Sequence, residues 1–183
     1  MEYFETIRLR DGRSCVLRSA AERDAQAALD SFNLTHAETE FLTTYPDETA
    51  FSAEEEGRFL QKKAESANEA EILAELGGRV VGMAGISAVG AKDKLRHRAQ
   101  FGISIERACW GLGIGRALTR ACIACAEAAG YAQMELEVVA DNERAIALYR
   151  IEGFAEYGRN PRGFRTRGGR WQELVLMRRE LNN

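Results

Sequence analysis

Residues 109–118, CWGLGIGRAL, place three glycines at alternate positions directly before an apolar run with helical spacing. Gly111, Gly113 and Gly115 allow a ligand to approach the backbone closely, and they expose successive N–H groups where a helix begins. These N–H groups and the helix dipole together favour a bound anion, most often a phosphate. The segment therefore predicts a phosphate site, and the alternative is a glycine-rich turn with a purely structural role.

The two best-known nucleotide motifs do not fit this segment. A dinucleotide fingerprint would need a further glycine where Arg116 stands, and a βαβ unit where the chain predicts a hairpin. A Walker A loop would need Gly-Lys-Ser or Gly-Lys-Thr. A phosphate site in this segment therefore belongs to a different class of ligand.

The cysteines and histidines do not suggest a second centre. Cys122 and Cys125 lie inside an alanine-rich helical run, where neither thiol has the helix N-terminus that acidifies a redox cysteine. No second pair or nearby histidine completes a zinc site, and His36 and His97 are isolated in the sequence. We therefore expect Cys15, Cys109 and this pair to be free thiols, and we expect no metal.

The composition is typical of one compact domain. The chain has 183 residues, 45% of them hydrophobic, and a formal net charge of −3. This charge argues against a nucleic-acid binder that works mainly through electrostatics. The first ten residues include four charged ones, and no apolar stretch approaches membrane-spanning length. We predict a single cytoplasmic domain over residues 1–183, monomeric or homodimeric, without nucleic-acid or membrane partners.

Hydrophobic periodicity and turn residues predict seven strands and four helices. Ser52 and Glu55 form a capping box, and Gly77 and Gly78 join two apolar runs as a hairpin. The predicted strands cover residues 13–18, 71–76, 80–89, 98–106, 134–139, 155–159 and 171–177. The predicted helices cover 20–34 and 52–66, then run from Ile114 to the stop at Gly130 and from Asn142 to Gly153.

Two motifs in order carry a family resemblance. Residues 102–118 (GISIERACWGLGIGRAL) and 136–154 (LEVVADNERAIALYRIEGF) resemble the acyl-CoA-binding core of the GNAT superfamily of N-acetyltransferases. That core has a Q/R-x-x-G-x-G/A loop, a helix, a strand and then N-x-x-A-x-x-L-Y-x-x-x-G-F. The second motif matches throughout, at Asn142, Ala145, Leu148, Tyr149, Gly153 and Phe154.

The resemblance covers residues 71–180 well and the first 60 residues by element order alone. Trp110 departs from the pattern because it stands where the family most often has Gln or Arg, so a side-chain contact to phosphate is lost there. The same variant occurs in members that resemble ribosomal-protein and polyamine acetyltransferases. The resemblance implies an α/β (α+β) GNAT fold, with a mixed, mostly antiparallel sheet of about seven strands, four helices, and a splay between strands four and five.

The resemblance also implies acetyl-CoA as the co-substrate and no metal. The glycine loop would hold the pyrophosphate through backbone N–H groups, and strand four would bind the pantetheine arm and polarise the thioester carbonyl. The implied cofactor-binding residues are Ile103, Ser104, Ile105, Gly111, Leu112, Gly113, Ile114, Gly115, Arg116, Asn142 and Ala145.

Two residues are candidates for the proton transfers of acetyl transfer to a primary amine. The resemblance makes Tyr149 the general acid, and Glu137 has the separation from Tyr149 that the Glu–Tyr pair has in ribosomal-protein alanine acetyltransferases. Tyr149 could instead be a core aromatic, Glu137 or Glu135 a salt-bridged strand residue, and the base a water relay. The alternative function is a catalytically idle acyl-CoA-binding module, which the presence of both residues disfavours.

The acceptor is expected at the first helical hairpin and the last two strands, where we select Glu40, Tyr45, Phe164 and Trp171. Acidic and aromatic side chains suit a cationic amine, such as a small-molecule amine or a peptide N-terminus. The arginines between residues 159 and 170 favour instead an acceptor with a carboxylate or phosphate. The sequence leaves both alternatives open.

Overall fold

The computed structural model describes residues 2–48 and 51–181, and in these ranges eight strands form one mixed sheet with the order β1-β2-β3-β4-β5-β6-β8-β7. The strands are β1 Phe4–Arg8, β2 Ser14–Ser19, β3 Ala70–Leu76, β4 Arg79–Ala88, β5 Arg98–Ile105, β6 Gln133–Val139, β7 Ala155–Arg165 and β8 Trp171–Glu180. The helices are α1 Ala25–Ala37, α2 Ala53–Glu65, α3 Ile114–Ala128 and α4 Glu143–Ile151. No helix in the described ranges is long and apolar enough to cross a membrane.

The predicted fold class is confirmed, and the strand count is eight instead of about seven. The additional strand is Phe4–Arg8, which pairs with β2. Its side chains are exposed except that of Ile7, which is half-buried. An edge strand of this kind has no apolar alternation from which it could be predicted. The capping box is confirmed, because the Ser52 hydroxyl accepts from the Glu55 N–H at 3.2 Å and the Glu55 carboxylate accepts from the Ser52 N–H at 2.8 Å.

Two predicted boundaries were wrong. The first helix occupies Ala25–Ala37 instead of 20–34, because a short 3-10 helix over Glu22–Asp24 precedes it. The strand predicted over 155–159 continues to Arg165, so part of the stretch expected to be a loop belongs to the last hairpin. Its side chains are mostly exposed and polar, so burial imposes no periodic pattern on them.

The two faces of the sheet carry different helices. Leu73 and Val80 pack with Ala28 of α1 and Leu60 of α2. Side chains alternate between the faces of a strand, and Ile72 correspondingly belongs to the larger cluster that includes most of the buried residues of α3. The four cysteines lie in the protein interior as free thiols, as expected.

The sheet parts between β5 and β6, its only parallel pair among the described strands. The two strands pair only from Arg98 opposite Gln133 to Gln100 opposite Glu135, and β5 then continues to Ile105 paired with β4 alone. At this fork Arg98 binds the buried Glu135 with two hydrogen bonds, the one from Nη2 to Oε2 measuring 2.7 Å. The predicted splay between these two strands is thus confirmed.

Two glycines that lie opposite each other on β4 and β5 differ in how closely other atoms approach them. Gly85 on β4 lies opposite Gly102 on β5. A Cβ added to Gly85 would overlap the Glu71 carboxylate and lie 2.9 Å from the Ala70 carbonyl oxygen, whereas one added to Gly102 would meet nothing within 4 Å. We expect Gly85→Ala to lower the free energy of unfolding by about 1–3 kcal/mol. Gly102→Ala should change it by less than about 0.5 kcal/mol. Urea unfolding of both variants makes the measurement, and equal stability would contradict the close approach.

Candidate active site

A groove with a cavity volume of about 340 Å³ opens where β5 and β6 diverge. One wall is the splayed end of β5, with Ile103, Ser104 and Ile105, and another is the glycine loop with the start of α3. The first turns of α4 close the groove at the side, and the end of α1 with the loop after it closes it at the far end. The groove therefore gathers segments that are far apart in the sequence.

The glycine loop has the geometry of an anion cradle. Gly111 and Gly113 adopt left-handed backbone conformations with φ of 81° and 104°, and Gly113 is the N-cap of α3. The Ala117 N–H donates to the Gly113 carbonyl at 3.1 Å, so the N–H groups before it in the first turn have no intrahelical acceptor. The first turn of α3 also contains no acidic side chain. The residues present therefore fit a bound phosphate.

Gly115 serves close packing. A Cβ at this position would lie 3.3 Å from both Ile105 Cδ1 and Leu148 Cδ2, tighter than usual contact. A side chain there would push α3 away from both β5 and α4. The glycine thus keeps the start of α3 against the splayed strand.

Most of the predicted cofactor-binding residues line this groove. The exceptions are Ile114, which is fully buried in the core, and Leu112, which packs against the core and whose carbonyl accepts from the Arg10 N–H at 3.1 Å. Asn142 and Ala145 have a structural contact of their own, because Asn142 Oδ1 caps α4 by accepting from the Ala145 N–H at 3.3 Å. The cap fixes where α4 begins beside the cradle.

Tyr149 lies where the apolar core meets the groove. Its side chain is 6% exposed and lines the groove. Its ring packs edge-on against Phe101, with centroids 6.1 Å apart, and against Phe154 at 5.9 Å. Burial raises the pKa of Tyr149 well above its ordinary value, so the hydroxyl stays protonated at neutral pH. Tyr149 is thus a core aromatic whose hydroxyl remains a proton donor.

The two glutamates of β6 have different surroundings. Glu135 is buried and paired with Arg98, whose hydrogen bonds lower its pKa below the ordinary value. Glu137 is exposed, makes no ion pair with any described residue, and does not line the groove. The expected salt-bridged glutamate is therefore Glu135, whereas the carboxylate of Glu137 is accessible to water.

The residues selected for the acceptor lie outside the groove. Tyr45 and the carboxylates beside it contact the last hairpin: Arg167 lies 4.1 Å above the Tyr45 ring and 2.6 Å from Asp47, and Arg170 lies 3.5 Å from Glu40. Phe164 is half-buried on β7. Trp171 is 48% exposed under the guanidiniums of Arg162 and Arg165, at 5.4 and 5.3 Å. Ion pairs with arginine thus neutralise much of the acidic surface that suggested a cationic acceptor.

Several residues that line the groove were not predicted from the sequence as site residues. Arg10 lies just before the β1–β2 turn, and its Nη1 donates to the Gly111 carbonyl at 3.2 Å. Trp110 was expected only to remove a phosphate contact, but its indole N–H donates to the Ile105 carbonyl at 2.7 Å. The remaining missed residues are Thr35, Thr39, Phe41, Leu42, Cys109, Arg144, Ala147, Leu148 and Ile151. The motif position of Leu148 and the charges of Arg10 and Arg144 could have marked three of them. Thr39, Phe41 and Leu42 lie in the first helical hairpin, where the acceptor was expected.

Comparison with known proteins identifies the family. Residues 30–154 match the Acetyltransferase (GNAT) family. An acetyltransferase of the GNAT family from Streptococcus pneumoniae has 30% identical sequence and a TM-score of 0.88, over 91% of this chain and 99% of that chain. A GNAT superfamily phosphinothricin acetyltransferase from Sinorhizobium meliloti, solved in complex with AcCoA, has 25% identity and a TM-score of 0.80, over 92% and 89% of the two chains.

A curated relative supports the same conclusion over a shorter range. N-alpha-acetyltransferase RimI of Mycobacterium tuberculosis is 36% identical over 107 residues, which are 58% of this chain. The match spans 63% of RimI, and the match to another curated relative spans 26% of that protein. The family match covers more than half of the chain, and the fold, the cradle and both sequence motifs agree with it. The chain therefore belongs to the acetyltransferase (GNAT) family.

Proposed function

We propose that this chain, as a single domain, transfers the acetyl group of acetyl-CoA to a primary amine. The observation that carries the proposal is the position of Tyr149, a buried and protonated phenol that lines the same groove as the glycine cradle and the splayed end of β5. An anion cradle, a free strand edge and a proton donor in one groove suit a phosphate-bearing thioester better than a simple nucleotide.

The backbone provides most of the binding. Acetyl-CoA supplies an acetyl group activated as a thioester. The free N–H groups of Ile114, Gly115 and Arg116 would hold the pyrophosphate at the N-terminus of α3. Beyond Gln100, β5 has no ladder partner on the β6 side, so its backbone groups are available to the pantetheine arm and to the thioester carbonyl.

The reaction requires the nitrogen to lose protons and the sulfur to gain one. A primary amine has a pKa near 10 and is mostly protonated at neutral pH, so its proton must leave before the nitrogen attacks. We assign this step to Glu137 acting through water, because its carboxylate is exposed and lies outside the groove. As the nitrogen forms its bond to the acetyl carbon, the carbon–sulfur bond breaks and Tyr149 donates its proton to the sulfur. The acylated nitrogen then loses its second proton, and a proton returns to the Tyr149 oxygen. The products are the N-acetylated amine and the free thiol.

The lining of the groove limits the acceptor. Thr35, Thr39, Phe41 and Leu42 line the end formed by α1 and its following loop, and none of the described lining residues is a carboxylate. A polycationic acceptor would find no counter-charge inside such a groove. We therefore propose a small-molecule amine or a peptide N-terminus that enters as a single neutral amino group.

Replacing Tyr149 tests the proposed acid. We expect Tyr149→Phe to lower kcat by about 100-fold or more, because the leaving sulfur loses its proton donor. Affinity for CoA should change little, since the ring still packs against Phe101 and Phe154. Tyr131→Phe is the matched control, as Tyr131 is also buried but does not line the groove. Thiol release across an amine panel measures kcat, and an unchanged value would remove Tyr149 from the mechanism.

The role of Glu137 is tested through the pH dependence of the rate. We expect Glu137→Gln to lower kcat by about 100-fold at neutral pH. The rate of the variant should then rise about tenfold per pH unit up to the pKa of the acceptor, because only the amine that is already neutral reacts. Glu143→Gln on the exposed start of α4 is the control. A variant with the wild-type profile would exclude Glu137 as the base.

The cradle is tested at the two ends of α3. We expect Gly113→Glu to weaken CoA binding by more than about 100-fold, because a carboxylate would meet the phosphate there. Gly130→Glu is the control, because Gly130 follows the C-terminal end of the same helix. Its φ is also positive, 79° compared with 104° at Gly113, so both substitutions cause a similar backbone strain. Calorimetric titration with CoA measures the affinity. Normal binding by a folded Gly113→Glu variant would contradict the cradle.

A further inference from the structure

Two arginines beside the cradle have no counter-charge. Arg10 and Arg144 line the groove, and neither pairs with a carboxylate in the part of the chain that the structure describes. Arg116 also lines the groove, but its Nε donates to Glu152 at 2.6 Å. An arginine that stays unpaired among many ion pairs is available to an anion.

Arg10 is held against the glycine loop by its own backbone and by one guanidinium nitrogen. Its N–H donates to the Leu112 carbonyl at 3.1 Å, and Nη1 donates to the Gly111 carbonyl at 3.2 Å. A guanidinium has five N–H donors, so most of them remain for a ligand. The turn after β1 therefore places a fixed positive charge at the loop.

Arg144 is held by the indole of Trp110. Its guanidinium carbon lies 5.5 Å from the centre of the ring, and that of Arg107 lies 5.6 Å from it. The indole N–H is anchored to the Ile105 carbonyl. A Cβ at Gly111 would come within 3.1 Å of Arg144 Nη2, so this glycine leaves room for the guanidinium.

We propose that Arg10 and Arg144 bind phosphate oxygens at the nucleotide end of CoA, and that Trp110 is the positioning residue for Arg144. The proposal rests on the proposed function, because it names residues that select the CoA thioester. The dipole of α3 amounts to about half a positive charge, whereas CoA carries a pyrophosphate and a 3′-phosphate. Two guanidiniums add two positive charges to that of the dipole, and the ring at position 110 thereby replaces the direct contact that Gln or Arg would make.

The test compares the binding of CoA, dephospho-CoA and pantetheine by calorimetry in the absence of an acceptor. We expect Arg10→Gln and Arg144→Gln each to weaken CoA binding about tenfold, with pantetheine binding unchanged. Arg96→Gln is the control of equal charge, because Arg96 is exposed and lies outside the groove. A loss confined to CoA assigns the arginine to the 3′-phosphate, and a loss shared with dephospho-CoA assigns it to the pyrophosphate.

Trp110 is tested by a double-mutant cycle. We expect Trp110→Leu to weaken CoA binding as much as Arg144→Gln does, and the double variant to be no weaker than either, because both changes remove one interaction. Trp110→Gln should recover part of the affinity. Additive losses would show that Trp110 has only a structural role and would overturn its positioning of Arg144.

The outcomes separate this proposal from the proposed function. If the wild-type protein fails to bind CoA, the acetyl-transfer proposal itself fails. If the wild-type protein binds CoA, and Arg10→Gln and Arg144→Gln bind it as tightly as Arg96→Gln does, only the assignment of the two arginines is overturned. Thermal unfolding of each variant confirms that it is folded before titration.

Discussion

The short parallel pairing of β5 and β6 is the constraint on which the rest of the site depends. The ladder ends after Gln100 opposite Glu135, and an ion pair joins Arg98 at its first position to Glu135 at its last. The next residue of β5 is Phe101, whose ring packs on Tyr149 and Phe154. The short ladder is therefore held by an ion pair to the buried Glu135 and by an aromatic cluster, and the proposed acid belongs to that cluster.

This arrangement combines rigidity with an open strand edge. A sheet that continued its pairing would satisfy its own backbone groups and leave nothing for a ligand. Here the divergence leaves one side of β5 free beyond Gln100, while β4 holds the other side as far as Ile105. The backbone groups proposed to bind the thioester are thus fixed in position, without a mobile loop.

Ion pairs give the groove a charge opposite to that of the whole chain. The chain carries a formal net charge of −3, yet no described residue that lines the groove is a carboxylate, and two glutamates next to lining segments are bound to arginines. The buried Glu106 pairs with Arg79, and hydrogen bonds from Arg120 and Arg116 outweigh burial to lower the pKa of Glu152. With these carboxylates neutralised, unpaired arginines set the local potential, and an overall acidic protein can attract a polyanion.

Features determined by local chemistry were predictable from the sequence, whereas those determined by long-range pairing were not. The Ser52 capping box and the start of α4 at Asn142 were both predicted, and each depends on a hydrogen bond between residues three positions apart. The contact of Arg10 with Gly111 joins residues 101 positions apart. The residue types of the β1–β2 turn do not indicate this contact. The same limit applies to β6, where Glu135 and Glu137 lie on the same face of the strand and the sequence does not show that Arg98 of the neighbouring strand binds Glu135.

Trp110 shows why a departure from a family pattern need not weaken the site. The N–H groups of the cradle belong to the backbone, so they do not depend on which side chain occupies position 110. The indole instead joins the loop to the splayed strand through the Ile105 carbonyl, and the same contact occupies an acceptor at the end of the free edge. A ligand along β5 is thus directed to the backbone before Ile105, in the groove that Tyr149 also lines. In the proposed site, Trp110 thus connects Arg144, proposed to bind phosphate, with the strand proposed to bind the thioester.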